Sequence, residues 1–118
     1  MATSKIAKPV DSRDNHFTTG YNSQDFGCRK YFDMQHMHGV VDVGCPSSAS
    51  YIDIAYMPNG SKSEIRVPIS ITYGSLVFPS IGKITSGHLH AWFSPEIVTA
   101  LQGNICQVYF DFDYVLGT

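Results

Sequence analysis

The stretch from Ile105 to Leu116 constrains this chain more than any other. It reads Ile-Cys-Gln-Val-Tyr-Phe-Asp-Phe-Asp-Tyr-Val-Leu. Cys106, Val108, Phe110, Phe112, Tyr114 and Leu116 fall on one face. Ile105, Gln107, Tyr109, Asp111, Asp113 and Val115 fall on the other. Strict alternation of this kind is the mark of a half-buried β-strand, because successive side chains point to opposite faces. At about 3.4 Å per residue it spans roughly 40 Å, long enough to pair with several shorter segments. We read it as the spine of the fold.

The remaining chain supplies the partners. Arg29 to His38 alternates, with Phe32, Met34, His36 and His38 on one face. Gly39 interrupts it, and Val40 to Val43 continues as a short strand or a bulged extension. Tyr51 to Tyr56 reads as a strand with Ile52, Ile54 and Tyr56 inward. Met57-Pro58-Asn59-Gly60-Ser61 is a strong turn signal, since Asn-Gly tolerates the positive φ of a tight hairpin. Ser63 to Tyr73 reads as the return strand, with Ile65, Val67, Ile69, Ile71 and Tyr73 inward. Pro68 cannot donate to a ladder, which places that strand at an edge or at a bulge. Leu76 to Phe78 is a short strand ended by Pro79, and Ile84 to Phe93 follows. Ser94-Pro95-Glu96 starts a helix: Ser94 caps, Pro95 suits the first position and Glu96 suits the positive end of the dipole. Gly103 is placed to close it after about Gln102.

These elements predict an all-β fold, an antiparallel β-sandwich or jelly-roll-like barrel with one short helix over about 95–102. Val108, Phe110, Phe112 and Tyr114 are expected to share a core with Ile65, Val67, Ile69 and Ile71. Residues 26–118 read as a single β domain. Residues 1–25 read as an extended N-terminal arm, polar and without a sustained period. If ordered, such a segment needs contacts to offset roughly 1–2 kcal/mol of backbone entropy per residue. A neighbouring subunit is the expected source, with Lys5, Lys8, Arg13, Phe17 and Tyr21 as candidate partner-binding residues.

Composition narrows the function classes. Of 118 residues, 43% are apolar, enough for a core, and only 15% are charged, with a net charge of −2. A low charge density fits a surface partly covered by other subunits, and the negative sign argues against a dedicated nucleic-acid binder. No run approaches the ~20 apolar residues of a membrane span. Cys28, Cys45 and Cys106 are widely spaced and odd in number, which predicts free thiols in a protein made in a cytoplasm. No apolar signal-peptide core is present in Met1 to Val10.

Two histidine pairs carry the strongest chemical signal: Gln35-His36-Met37-His38 and Gly87-His88-Leu89-His90. On a strand, residues i and i+2 share a face, so each pair can offer two imidazoles to one ion. His36, His38, His88 and His90 are therefore candidate metal ligands, for a transition metal such as zinc or iron. The two pairs on neighbouring strands would make a four-nitrogen site. One pair from each of three chains would make an octahedral one. Otherwise they are strand histidines packed beside aromatics, and no cofactor is expected. Asp111 and Asp113 read as a solvated or intersubunit face, with Asp53 on another strand. No nucleophile elbow, activated cysteine or phosphate-binding loop is present, so no enzyme is expected.

The HxH pattern of His36/His38 and His88/His90 resembles that of the iron-holding spikes and fibres of tailed phages. Cupins also use HxH, but the glutamate that follows it there is absent here: Gly39-Val40-Val41-Asp42 and Ala91-Trp92-Phe93-Ser94 come next. In its low charge, all-β core and polar arm, the chain resembles small virion proteins of tailed phages, capsid decoration (cement) proteins or tail components. The resemblance implies a structural subunit of the virion, made in the host cytoplasm. It would form a homotrimer or higher ring and attach to a larger capsid or tail protein. One alternative is a metal-binding module or metalloenzyme on the histidine pairs. Another is a carbohydrate- or receptor-binding tip, with Tyr51, Tyr73, Trp92 and Tyr109 as stacking surfaces.

Overall fold

The structure, a computed structural model, describes residues 12–13, 18–31, 34–56 and 64–115. It contains β1 (Ser12–Arg13), β2 (Ser23–Tyr31), β3 (Met34–Gly44), β4 (Ser50–Tyr56), β5 (Ile65–Tyr73), β6 (Leu76–Thr85), β7 (His88–Phe93), α1 (Pro95–Leu101) and β8 (Ile105–Val115). Among the described residues the fold is all-β and antiparallel with one short helix, as the alternation implies. No helix among the described residues is long and apolar enough to cross a membrane.

The eight strands among the described residues belong to one sheet, in the order β1-β2-β3-β8-β5-β6-β7-β4. β8 is the spine: it pairs with β3 from Gly44↔Ile105 to Met34↔Val115 and with β5 over Ile69–Thr72. The sheet curls into a half-barrel. Thr18, just before β2, bridges Tyr56 at the end of β4, and Thr19 Oγ1 donates to the Ile54 carbonyl at 2.6 Å. The architecture is thus barrel-like, one curled sheet bridged at a point.

The interior holds one core. Val108, Phe110, Phe112 and Tyr114 are buried with Val67, Ile69 and Ile71, and Ile65 packs at the margin. Cys28, Met37, Val41, Ile54, Ile84, Leu89 and Phe93 complete it, and α1 adds Ile97, Val98 and Leu101. Ser94 Oγ accepts from the Ile97 amide, the expected cap, and Gly103 has φ 86° just past the helix. The three cysteines are buried, and none is in a disulfide.

Several elements depart from the sequence reading. The strand expected over Arg29 to His38 is two strands, β2 and β3, which pair with each other from Tyr31↔Met34 onward. The alternating pattern runs on from β2 into β3, which hides the boundary between them. Gly39 lies inside β3 because its missing side chain makes room: a Cβ there would sit 2.9 Å from Phe26 Cδ1 and 3.0 Å from Phe110 Cζ. The strand expected over Ile84 to Phe93 is also divided. Ser86 and Gly87, at φ 51° and 82°, form a two-residue turn whose positive φ values match the sheet's twist. Pro79 does not end β6, since β6 pairs with β7 only over Gly82–Thr85 and at Pro79 only with β5.

The expected hairpin between the Tyr51 and Ser63 strands does not form. β4 pairs with β7, and β5 lies between β6 and β8. The turn signal Met57 to Ser61 lies outside the described residues. Tyr56 faces outward, not inward, because a bulge between Asp53 and Ala55 shifts the register. Tyr73 is exposed as well. β5 is not at an edge; its ladder to β8 begins at Ile69, one residue past Pro68.

The arm expected over 1–25 is tied to its own domain wherever it is described. Ser12 and Arg13 pair with Lys30 and Arg29, Thr18 and Thr19 bond to β4, the Asn22 carbonyl accepts from the Asp42 amide, and β2 begins at Ser23. Lys5, Lys8, Phe17, Leu116 and the Arg13 side chain lie outside the described residues.

Candidate functional site

The outward faces of β3, β8 and β5 carry the polar chemistry. Register sets it: His36 sits opposite Asp113, and His38 opposite Asp111. His36 Nδ1 lies 2.7 Å from Asp113 Oδ1, and its Nε2 lies 3.0 Å from Asp111 Oδ1. A carboxylate only accepts, so the ring donates from whichever nitrogen carries a proton. His38 Nδ1 donates to the Asp25 carbonyl. Asp25 belongs to a β2 bulge and has φ 50°, and Phe26 from the same bulge packs edge-on against Phe110 at 6.1 Å.

A cleft of about 440 Å³ lies across these strands. Its walls include Asp25, His38, Val40, Pro68, Ser70, Tyr109 and Asp111. It sits at the level where Pro68 ends the β5–β8 ladder. Tyr109 is 47% exposed, so its ring is available to a ligand. Among the described residues no Lys or Arg lines the cleft, and Arg66 on the same strand as Pro68 is tied to Glu64 at 3.0 Å. The cleft therefore joins an aromatic face to carboxylate acceptors, a set that suits hydroxyl-rich neutral or amino-bearing ligands.

The second histidine pair lies elsewhere on the outer face. β3 and β7 are separated by β8, β5 and β6. The structure therefore does not bring His36, His38, His88 and His90 into one four-nitrogen site. Among the described residues, no group of three or more His, Cys, Asp or Glu side chains is arranged around one ion. His88 Nδ1 donates to Asp53 Oδ2 at 2.7 Å, and the Tyr56 ring stacks on His88 at 4.3 Å. His90 Nδ1 points to the Lys83 carbonyl at 3.4 Å. Nearby, Tyr51 and Trp92 pack ring to ring at 4.8 Å, with Lys83 Nζ 4.3 Å from the Tyr51 centroid.

Of the four aromatics proposed as stacking surfaces, only Tyr109 enters the cleft. Tyr51 and Trp92 engage each other, and Tyr73 Oη donates to Asn104 Oδ1 at 3.3 Å. Asp111 and Asp113 do lie on the outer face, but they hold His36 instead of forming an isolated carboxylate pair. Asp53 pairs with His88, far from both. Asp25 and Ser70 were not singled out from the sequence. Pro68 was the available signal, a residue that cannot donate inside an otherwise regular strand. Among the described residues, no hydrogen bond joins an imidazole to a Ser, Thr or Cys side chain. Tyr21, a candidate partner-binding residue, is exposed beside a second hollow lined by Thr18, Thr19, Asp53 and Tyr56.

No protein-family model and no curated protein matches the chain. Among solved structures, the chain is similar to the head domain of phage bIL170, described with the receptor-binding domains of lactococcal phages. The likeness covers 92% of this chain and 97% of that one, with a TM-score of 0.62 and 9% sequence identity. At that identity it is a likeness of fold. The resemblance to phage virion proteins read from the sequence thus extends to the fold.

Proposed function

We propose that the chain is a receptor-binding domain of a phage virion, part of the tail, that docks a cell-surface carbohydrate in the Asp25–Tyr109–Asp111 cleft. The fold shared with the bIL170 head domain over nearly the whole chain is the observation that carries this reading. It supports the receptor-binding alternative better than the capsid-decoration reading drawn from the sequence. The cleft supplies the chemistry: Tyr109 offers a face for a sugar ring, and Asp25 and Asp111 accept from hydroxyls. The acidic lining favours neutral or amino sugars over phosphorylated ones. The homotrimer or higher ring expected from the sequence is part of the proposal, since a virion subunit works in several copies.

Binding to an array of neutral, amino and phosphorylated glycans, followed by titration calorimetry, tests the reading. Neutral or amino glycans should bind. Tyr109→Ala and Asp111→Asn should each weaken that binding about tenfold, the loss of one stacking surface or one charged hydrogen bond. No glycan binding by the intact chain, together with attachment to capsid particles, would overturn the proposal in favour of decoration.

A further inference from the structure

We infer that His88 and His90 form a two-nitrogen site for a borderline divalent transition ion such as zinc, nickel or copper(II), with Asp53 as the positioning residue. The cleft reading does not use this pair. The two side chains leave the same face of β7, and their ring centroids are 6.0 Å apart with 40° between planes. Two imidazoles bound at about 2.0–2.1 Å per Zn–N bond with a tetrahedral angle lie roughly 5 Å apart, so the rings close by about 1 Å on taking up the ion.

The argument rests on which nitrogen each ring has left. His88 Nδ1 donates to the Asp53 carboxylate, and His90 Nδ1 faces the Lys83 carbonyl. Both partners are acceptors, so the tautomer that satisfies them has its proton on Nδ1 and its lone pair on Nε2. A metal-ligating histidine is held in this way, its other N–H given to a carboxylate or backbone carbonyl that fixes tautomer and ring plane. Tyr56, stacked on His88, restrains that ring further. The Lys83 ammonium is directed to the Tyr51 ring.

The His36/His38 pair has the same sequence spacing and a similar ring separation, 5.6 Å, but a different state. His36 Nε2 is already engaged by Asp111, 3.0 Å away. Opening that site to a metal means breaking an existing contact. The two pairs are therefore an internal comparison: one has both Nε2 atoms unspent, the other does not. Two protein ligands leave the remaining positions to water or to the same pair from another copy. Imidazole nitrogen selects zinc, nickel and copper over magnesium or calcium.

Titration of the whole chain with Zn2+ and Ni2+, followed by calorimetry and by 15N-edited spectra of the histidine rings, tests this. The expected result is one ion per His88/His90 pair, with Nε2 shifted and Nδ1–H retained on both rings. His88→Ala or His90→Ala should lower affinity at least tenfold, while His36→Ala/His38→Ala leaves it unchanged. Asp53→Ala should weaken binding 10- to 100-fold, the usual effect of an outer partner. Asp53→Asn still accepts from Nδ1 and should restore most of it. Equal losses in the two pairs would overturn the proposal as adventitious chelation. So would unchanged affinity in His90→Ala, or ring spectra that report Nδ1 coordination.

Discussion

Thr18 and Tyr56 exchange two backbone hydrogen bonds, each 2.9 Å, and so join the segment before β2 to the far edge strand of the sheet. Among the described residues, β7 is otherwise the one strand that pairs with β4. Thr18 and Thr19, in the stretch that reads as an arm, thus tie it to the sheet's far edge at β4. We expect deletion of residues 2–20 to lower the urea midpoint and to raise hydrogen exchange along β4. Thr19→Ala alone should cost about 1 kcal/mol, the net value of the bond to Ile54. A truncated chain as stable as the intact one would return these residues to the role of a free arm.

Gly39 gives a second test. Its inward position is filled by Phe26 and Phe110, and the Phe26 Cα lies 3.3 Å from where a Cβ would stand. That neighbour is backbone and cannot rotate away. Gly39→Ala should therefore destabilise the chain by about 1–3 kcal/mol, the range for overpacking. Phe112→Ala, deleting a buried ring from the spine, should cost about 3–5 kcal/mol. Thermal or urea unfolding measures both, and a neutral Phe112→Ala would mean the faces of β8 are reversed.

How far the sequence was legible follows from which forces are local. The faces of β8 could be read directly because burial alternates with the pleat. The helix start could be read because Ser94 and Pro95 act within one turn. Strand partnership could not. Asn59-Gly60 signals a turn, yet it does not say whether the strands beside it pair with each other, and here β4 goes to β7. The bulge that turns Tyr56 outward has no signature in alternating residues. For the same reason the cleft was hidden: Asp25, Tyr109, Asp111 and Pro68 come together through a register that couples three distant segments. The histidine pairs were visible as pairs, but their separation by three strands was not.

The His36–Asp111–Asp113 cluster is a surface network, with the Asp111 side chain 73% exposed. Exposed pairs contribute little because water and salt screen them. His36→Ala should change stability by less than about 1 kcal/mol, and the difference should shrink between 0.05 and 0.5 M salt. A larger, salt-insensitive loss in urea titrations would mean that the cluster anchors β8 to β3.

The last prediction concerns alkaline pH. Cys106 Sγ donates to the Val43 carbonyl at 3.2 Å within the core. Burial pushes its thiol up to about 11 from an ordinary 9.0, and nearby Cys45 adds to the effect. Burial raises Cys45 as well. A group whose folded pKa is raised stabilises the fold in its neutral form. That contribution is complete below pH 9, where the thiol is neutral in both states. It is lost as pH rises from 9 towards 11, because the unfolded chain ionises first and is favoured by doing so. Wild-type stability should therefore fall across that window more steeply than that of Cys106→Ala, whatever the variant's stability at pH 7. Comparing the two chains cancels the tyrosines and lysines that titrate nearby. Ellman's reagent should react with the native chain at pH 8 only as fast as the core opens. Parallel pH profiles for the two chains, or immediate reaction of all three thiols, would show that Cys106 is open to water and not sealed in the barrel.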